Sequence, residues 1–306
     1  MQFEWTVFFG DAADAEARVY VLATPLGDSA DANALEGLKI TGRVEGPKCR
    51  YSHTLPARIP VRHRGVRMSD GNVELGRAEL VGEAIVPDPN FWTSELPFLY
   101  RATVEVRCGE EVVASYEQDF GIRPLGVRGK RLVFGGKTWV PRAVRRDVVV
   151  GEAPLELWRE TATVMVVDDS ADELCREASE IGVILFARIS KAGPSLPDTV
   201  RKLGRYPAVA AIFVSSDVFV PELDPTLARN ALLVQELVAE RGVIGYSEWA
   251  RAFSWSVGRL DCVIWDLGPG LVQRNTGKRT LIEARAACDS LQADLAGKCD
   301  PAGYIV

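Results

Sequence analysis

Few side chains in this sequence are chemically suited to catalysis or metal binding. The only histidines, His53 and His63, lie in the first third of the chain, so a catalytic or metal-bound histidine is excluded from the rest. The six cysteines are scattered without a C-x-x-C pair, which is typical of ordinary thiols in a reducing compartment. The candidates in the C-terminal two thirds are carboxylates and arginines at or near the ends of predicted strands: Arg142, Arg145, Arg146, Asp168, Arg188, Asp217 and Glu283.

The elements that position these residues belong to the second of two predicted domains. Residues 1–125 contain short β-branched and aromatic runs separated by Gly, Asp and Asn turns. This pattern predicts an antiparallel β-sandwich. In residues 126–306 short apolar runs alternate with helical stretches.

Eight buried strands are predicted in that second domain, and their alternation with helices favours a compact (β/α)8 TIM-type barrel with short loops. An open doubly wound sheet is the alternative, although no Gly-rich phosphate loop follows any strand. The predicted strands are Trp139–Val144, Ala162–Val167, Val183–Ala187, Val209–Val214, Val243–Tyr246, Cys262–Asp266, Arg279–Ile282 and Ala302–Val306.

Two helices carry clear boundary signals. Ser170 with Glu173 forms a capping-box pattern, and Gly182 predicts the end of that helix. Asp224-Pro225 predicts the start of a second helix that runs to Gly242.

Composition narrows the classes of partner. The net charge is −6, which argues against nucleic acid and anionic membranes as partners. No apolar run reaches transmembrane length, and the N-terminus lacks the regions of a signal peptide. We therefore expect a cytoplasmic protein, and no cofactor or metal is indicated.

Three motifs in order identify a relationship. The segment Pro89–Tyr100, PNFWTSELPFLY, resembles the P-x-L-W-S-P-E-x-P-x-L-Y signature of family 2 glycoside hydrolases, the family of β-galactosidases, β-glucuronidases and β-mannosidases. Phe120–Arg123 resembles that family's F-G-I-R strand, and Leu132–Lys137 resembles the F-x-L-N-G-K hairpin that opens its barrel. The resemblance implies an immunoglobulin-like domain followed by a shortened catalytic barrel.

The resemblance also implies a pair of catalytic carboxylates. Retaining glycosidases hold two carboxyl groups about 5–5.5 Å apart, one as nucleophile and one as acid/base. Residues 278–283, KRTLIE, resemble the strand that carries the family's nucleophile, which implies this role for Glu283. Asp217 stands where the family has a glutamate acid/base, and Ser216 stands where it has an asparagine.

Both substitutions weaken the implied chemistry. Replacing Glu by Asp withdraws the carboxyl by about 1.3 Å, and a misplacement near 1 Å costs about a hundredfold in rate. Serine at position 216 removes the amide that binds the sugar 2-hydroxyl in relatives, a contact that strengthens in the transition state.

The rest of the implied sugar pocket is also altered. Arg145 matches the family's G-V-N-R-H element, whose Asn and His are replaced, while Arg188 stands where relatives have a glutamate. Tyr246, Glu248 and Trp265 are further candidates for substrate binding, with core packing as the alternative for the tryptophan. The arginines either pair with Asp168, Asp217 and Glu283 or bind an acidic sugar or another anion.

Three functions follow from these residues. The first is a degenerate, non-catalytic family 2 relative that binds a glycan or a protein. The second is an active retaining β-glycosidase that uses Glu283 and Asp217. The third is a scaffold, in which a homo-oligomer covers the last predicted strand of the barrel.

Overall fold

The computed structural model divides the chain into two compact units. One comprises Met1–Ile122 and Arg205–Pro207, and the other comprises Arg123–Gly204 and Ala208–Val306. The residues that the structure describes are 1–26, 32–68, 78–128, 131–168, 172–189, 196–215, 228, 230–238, 251–257, 260–266, 279–295 and 303–305.

The first unit is an antiparallel sandwich of seven strands. In chain order they are β1 Phe3–Ala12, β2 Glu16–Pro25, β3 Leu38–Lys48, β4 Ala57–Met68, β5 Ala78–Pro87, β6 Leu99–Cys108 and β7 Glu111–Phe120. They are hydrogen-bonded in the order β1-β2-β5-β4-β3-β6-β7. The N-terminal half of β4 pairs with β3 and its C-terminal half pairs with β5. This one long strand therefore joins the two layers.

Alternating side chains build the core of the sandwich. Val19 and Val21 on β2 belong to the same core as Val104 and Val106 on β6, and all four are completely buried. This is the period-2 pattern of strands with one buried face. Trp5 of β1 stacks on Tyr116 of β7, with ring centroids 5.4 Å apart. The predicted β-sandwich is confirmed.

Residues of two motifs, the segment Pro89–Tyr100 and the F-G-I-R strand, pack against each other in this unit. Trp92 is completely buried, and its backbone N–H donates to the carbonyl of Ile122 at 2.8 Å. A side chain at Gly121 would bring a Cβ atom within 2.8 Å of the Trp92 Cβ. The glycine of the F-G-I-R motif is therefore required by the close approach of the tryptophan.

A three-stranded antiparallel sheet begins the second unit. Its strands are β8 Leu125–Arg128, β9 Arg131–Phe134 and β10 Lys137–Trp139. Gly135 and Gly136 connect β9 to β10 with φ of 58° and 77°, the left-handed values of a tight hairpin turn. The predicted hairpin is confirmed, and Leu132 belongs to the same apolar core as the strands that follow.

Eight further strands close into a barrel. They are β11 Arg142–Arg145, β12 Val164–Asp168, β13 Leu185–Ile189, β14 Val209–Ser215, β15 Leu232–Val238, β16 Arg251–Val257, β17 Leu260–Asp266 and β18 Gly303–Ile305. Neighbouring strands are parallel except at β16, which runs antiparallel to β15 and β17. A parallel α/β unit is confirmed, whereas a regular (β/α)8 barrel is not shown, because β15, β16 and β17 are connected as antiparallel neighbours.

The described α-helices of this unit are α1 Leu155–Glu160, α2 Asp172–Ile181, α3 Leu196–Gly204 and α4 Leu281–Leu295. In α2, Cys175, Ala178 and Ile181 are buried on one face. The helix ends at Gly182, as predicted, where φ is 95°. The N–H groups of Gly182 and Val183 both donate to the carbonyl of Ala178, an arrangement that satisfies the helix end.

Two predictions of secondary structure are wrong. Residues 232–238 form β15 rather than the middle of a helix that runs from Asp224 to Gly242. Their sequence, LLVQELV, is apolar except at Gln235 and Glu236, and the period of so short an apolar run does not distinguish a strand from a helix. The predicted strand Arg279–Ile282 is a single bridge at Arg279 followed by the start of α4. The predicted strand Val243–Tyr246 lies outside the described residues.

Candidate functional site

The interior of the barrel is filled with apolar side chains. Phe186 of β13 lies 5.3 Å from Phe213 of β14 between ring centroids, and 6.2 Å from Trp139 of β10. Val166 and Ala143 belong to the same buried core. Ligand-sized space is therefore expected at the carboxyl ends of the strands, above this filling, where parallel barrels place their sites.

Three charged residues occupy the ends of β11, β12 and β13. Arg145, Asp168 and Arg188 each stand two residues beyond a core residue of the same strand, namely Ala143, Val166 and Phe186. Since strand side chains alternate between faces, each lies on the inward face one layer above the apolar filling. We call these three residues the mouth cluster.

The mouth cluster is joined by a loose ion pair. Asp168 and Arg188 are partners in the register of β12 and β13, and the Arg188 Nε lies 3.9 Å from the Asp168 Oδ1. The Asp168 side chain is 58% exposed and that of Arg188 21%. The predicted pairing of Arg188 with Asp168 is therefore observed.

Arg142 does not join this cluster. It is the first residue of β11, at the opposite end of that strand from Arg145. Its Nε donates to the Asp289 Oδ1 of α4 at 2.7 Å, and its Nη2 donates to the Gln292 Oε1 at 2.5 Å. Asp289 also lies 2.6 Å from Arg285, and these two guanidiniums hold the pKa of that carboxyl below its usual range. Arg142 therefore anchors α4 to the barrel.

Glu283 lies in the first turn of α4 and not at the end of a strand. Its Oε2 accepts a hydrogen bond from the Thr280 N–H at 2.9 Å, and its own N–H donates to the Thr280 Oγ1 at 3.3 Å. These hydrogen bonds from Thr280 hold the pKa of Glu283 below its ordinary value, with a smaller effect from Arg279. The two residues form a capping box, which satisfies backbone donors at the helix start.

The remaining candidates have no described side chains. Ser216, Asp217, Tyr246 and Glu248 lie outside the described residues, although β14 ends at Ser215, immediately before the first two. Of Trp265 the backbone alone is described, on β17 opposite Tyr304 of β18. The proposed distance between the Asp217 and Glu283 carboxyls stays a prediction.

Sequence reasoning missed two anchoring residues. The sequence of Thr280–Glu283, TLIE, is itself a capping-box signature, and it would have predicted Thr280 as the N-cap of a helix. Arg123, the last residue of the F-G-I-R motif, is 1% exposed and donates through its Nη2 to the carbonyls of Val209, at 2.9 Å, and Asn230. Burial lowers the pKa of Arg123 to about 9. No sequence pattern points to these two carbonyls.

The described residues form neither a metal-binding cluster nor a membrane-spanning helix. Among those residues, no three His, Cys, Asp or Glu side chains converge as they would around a metal ion. None of the helices in the described part of the chain has the length and hydropathy needed to cross a membrane.

The match to a known family lies mainly in the first unit. Residues 30–123 match the model of the family described as glycosyl hydrolases family 2. No curated protein sequence matches the chain.

Among solved structures, a β-glucuronidase of Bifidobacterium dentium complexed with coumarin-3-O-glucuronide is similar with a TM-score of 0.56 and 14% identity, over 99% of this chain and 52% of that one. A putative β-galactosidase from Bacteroides fragilis is similar with a TM-score of 0.50 and 13% identity, over 78% of this chain and 39% of that one. The chain thus spans about half or less of these proteins, and the likeness concerns the fold.

Proposed function

We propose that this chain is a non-catalytic relative of the glycosyl hydrolases family 2, whose model matches its sandwich. We propose further that it binds a glycan at the barrel mouth. The alternative occupant named by the sequence is a protein. The sugar is proposed because the structurally similar proteins are described as a β-glucuronidase and a putative β-galactosidase.

The capping box of α4 is the observation that carries the proposal. A glycosidase nucleophile must direct a carboxylate oxygen at the sugar, about 5–5.5 Å from its partner acid. Glu283 uses its Oε2 to accept the Thr280 N–H at 2.9 Å. That contact supports a role for Glu283 in starting a helix, which competes with attack on a substrate.

The changes near position 217 support the same conclusion. Asp217 is one methylene shorter than the expected acid/base, and Ser216 lacks the amide that would hold the sugar 2-hydroxyl. Arg188, where relatives have a glutamate, is engaged with Asp168. We therefore propose residues that contact the glycan without catalysing its hydrolysis. They are Arg145, Arg188, Ser216, Tyr246, Glu248 and Trp265.

An active retaining β-glycosidase is the second candidate. It is favoured by one observation: β14, the fourth strand of the barrel, ends at Ser215, so that Asp217 follows it as an acid/base would. Under this alternative, the Glu283 carboxylate breaks its hydrogen bond with Thr280 and acts as the nucleophile.

Covalent trapping separates the two candidates. A panel of 2-fluoro glycosyl fluorides needs no acid catalyst, because fluoride leaves without protonation, so the doubtful role of Asp217 does not affect the result. We expect no sugar mass on the intact protein and no hydrolysis of aryl β-glycosides, alongside measurable binding on a glycan array. Adduct formation at Glu283 that is absent in Glu283→Gln would instead establish the glycosidase. Glutamine is the matched control, because it also serves in a capping box.

A further inference from the structure

Strand β7 is the last strand of its sheet, and one of its edges is open. It pairs with β6 alone, and in the described part of the chain no backbone hydrogen bond joins its other edge to a second element. Such an edge presents a row of N–H and C=O groups to which another extended chain can add as a further strand.

The sequence of β7 does little to prevent strand addition. From Ala114 to Phe120 its register with β6 has no shift, which leaves seven regular residues, because the one bulge lies nearer the hairpin. Glu111–Phe120 contains neither proline nor lysine, the residues with which natural proteins block such edges. The protection that remains is negative charge, which discriminates between partners.

This charge lies on the outward face of β7. Asp119 is occupied, because Arg101 donates to its two oxygens at 2.6 and 2.7 Å. The exposed Glu117 accepts a hydrogen bond from the Thr103 hydroxyl at 3.3 Å, and no cation of the described chain forms an ion pair with it. A strand that adds to β7 places side chains directly opposite Glu117, where a lysine or arginine is stabilising and an acidic residue is destabilising.

On the inward face of β7, Gln118 has an unused donor. Its side chain is 9% exposed, and its Oε1 accepts the Tyr116 hydroxyl at 2.9 Å. Its Nε2 is buried and has no hydrogen-bond partner in the described structure, which is a destabilising state for a polar group. Because β7 is the last strand of its sheet, this amide lies beside the open edge, within reach of an acceptor on an added strand.

Charge disfavours a second copy of this chain as the added strand. In the antiparallel two-fold register that uses all seven regular residues of β7, two Glu117 carboxylates stand opposite each other. Like charges in directly opposed positions are destabilising. A cationic strand from a different protein fits this edge instead.

We propose that the open edge of β7 binds an extended, cationic segment of a partner protein by strand addition. Backbone hydrogen bonds to β7 hold the segment, a lysine or arginine lies opposite Glu117, and a polar side chain on the inward face accepts from Gln118. This surface belongs to the sandwich and does not depend on the glycan proposed for the barrel mouth.

Capped peptides test the surface on the full chain. The probe matches the seven regular residues of β7 and alternates lysine with threonine. In one control peptide glutamate replaces lysine, and in another the internal backbone amides are N-methylated. Calorimetric titration should show that the probe binds at least about tenfold more tightly than either control. The absence of binding up to about 1 mM probe, or equal binding of the N-methylated peptide, would overturn the proposal.

Variants of the protein locate the contact. Glu117→Lys should weaken binding of the probe by about fivefold or more, whereas Glu177→Lys on an exposed turn of α2 makes the same change of charge and should bind like wild type. Gln118→Leu should weaken binding of the threonine probe more than binding of a peptide with valine at those positions. If Glu117→Lys binds the probe as tightly as wild type, the assignment to this edge is wrong.

Hydrogen exchange supplies a readout that charge attraction alone would not change. Backbone amides of β7 should exchange more slowly with saturating probe, while those of β1, the terminal strand at the other end of the strand order, should not change. Protection of β1 in place of β7, or no protection, contradicts strand addition. A concentration-dependent dimer, seen by light scattering, that protects the same β7 amides would assign the edge to a second copy and also overturn the proposal.

Discussion

The carboxylate of Glu283 and the backbone of Thr280 are reciprocally hydrogen-bonded, with the Thr280 N–H donating to the Oε2 at 2.9 Å and the Glu283 N–H donating to the Thr280 Oγ1 at 3.3 Å. The residue implied to be a nucleophile is thereby part of the architecture of α4. This helix is also hydrogen-bonded to β11 through Asp289 and Arg142. A change at the start of the helix should therefore alter the stability of the barrel.

Removal of the cap should destabilise the barrel unit. Thr280→Ala deletes the hydroxyl acceptor, and the loss of such an N-cap costs about 1 kcal/mol. Urea unfolding, read by a probe in the barrel, measures the change. Ser290→Ala, on an exposed turn of the same helix, is the control and should be neutral or slightly stabilising, since alanine favours helix. An equal loss in both variants would contradict the assigned cap.

The contribution of Glu283 to stability should depend on pH. Because the folded pKa of Glu283 lies below its ordinary value, its contribution is complete above the unfolded pKa of about 4.3. It is lost as the pH falls through the lower folded pKa. The difference in melting temperature between wild type and Glu283→Gln should therefore narrow below about pH 4. A difference that is constant from pH 7 to pH 3 would count against the hydrogen bond.

This site shows where sequence reasoning succeeds and fails. The alignment of KRTLIE with a family strand placed Glu283 at a strand end, whereas the local pattern T-x-x-E specifies a helix start. The local signal was correct, because capping is decided by neighbouring backbone donors. A resemblance over six residues carries no such physical constraint.

The sandwich was more predictable than the barrel, because its local sequence pattern also follows from a physical constraint. Its alternating apolar positions, such as Val19 and Val21, have one buried face, so the pattern has a single reading. In the barrel, β15 has apolar residues at both odd and even positions, so its period does not distinguish a strand from a helix. The antiparallel course of β16 includes a local pairing with β17, in which Val257 stands opposite Leu260, and the predicted strands did not include β16.

The thiols should differ sharply in reactivity. Cys288 is completely buried, and burial raises the pKa of its thiol to about 12, whereas Cys108 is exposed. Since the thiolate is the reactive form, iodoacetamide at pH 8 should modify Cys108 in the folded protein and Cys288 after denaturation. Peptide mapping by mass spectrometry gives both rates. Equal labelling without denaturant would show that α4 does not hold the Cys288 thiol against Ala143 of β11.

A methyl group at position 121 should disrupt the sandwich. Gly121→Ala would bring a Cβ atom within 2.8 Å of the Trp92 Cβ, and overpacking of this kind costs about 1–3 kcal/mol. Gly126→Ala is the control, because a Cβ there meets nothing within 4 Å. Thermal unfolding followed by tryptophan fluorescence compares the two. An unchanged melting temperature in Gly121→Ala would mean that Trp92 is free to shift.

The buried Arg123 should be essential for the connection of β14 to β15. Its Nη2 donates to the carbonyls of Val209 and Asn230, at the start of β14 and just before β15. Arg123→Met fills similar volume but leaves these two acceptors without their donor, at about 1–3 kcal/mol for each buried group.

Hydrogen exchange of β14 and β15 provides a local readout, with faster exchange expected in Arg123→Met than in Arg123→Lys, which keeps a cationic donor. Arg201→Gln, whose partner is the exposed Asp198, should leave exchange in both strands unchanged. If Arg123→Met exchanges like wild type, the two carbonyls are satisfied by other donors, and the arginine of the F-G-I-R motif is kept for a different reason.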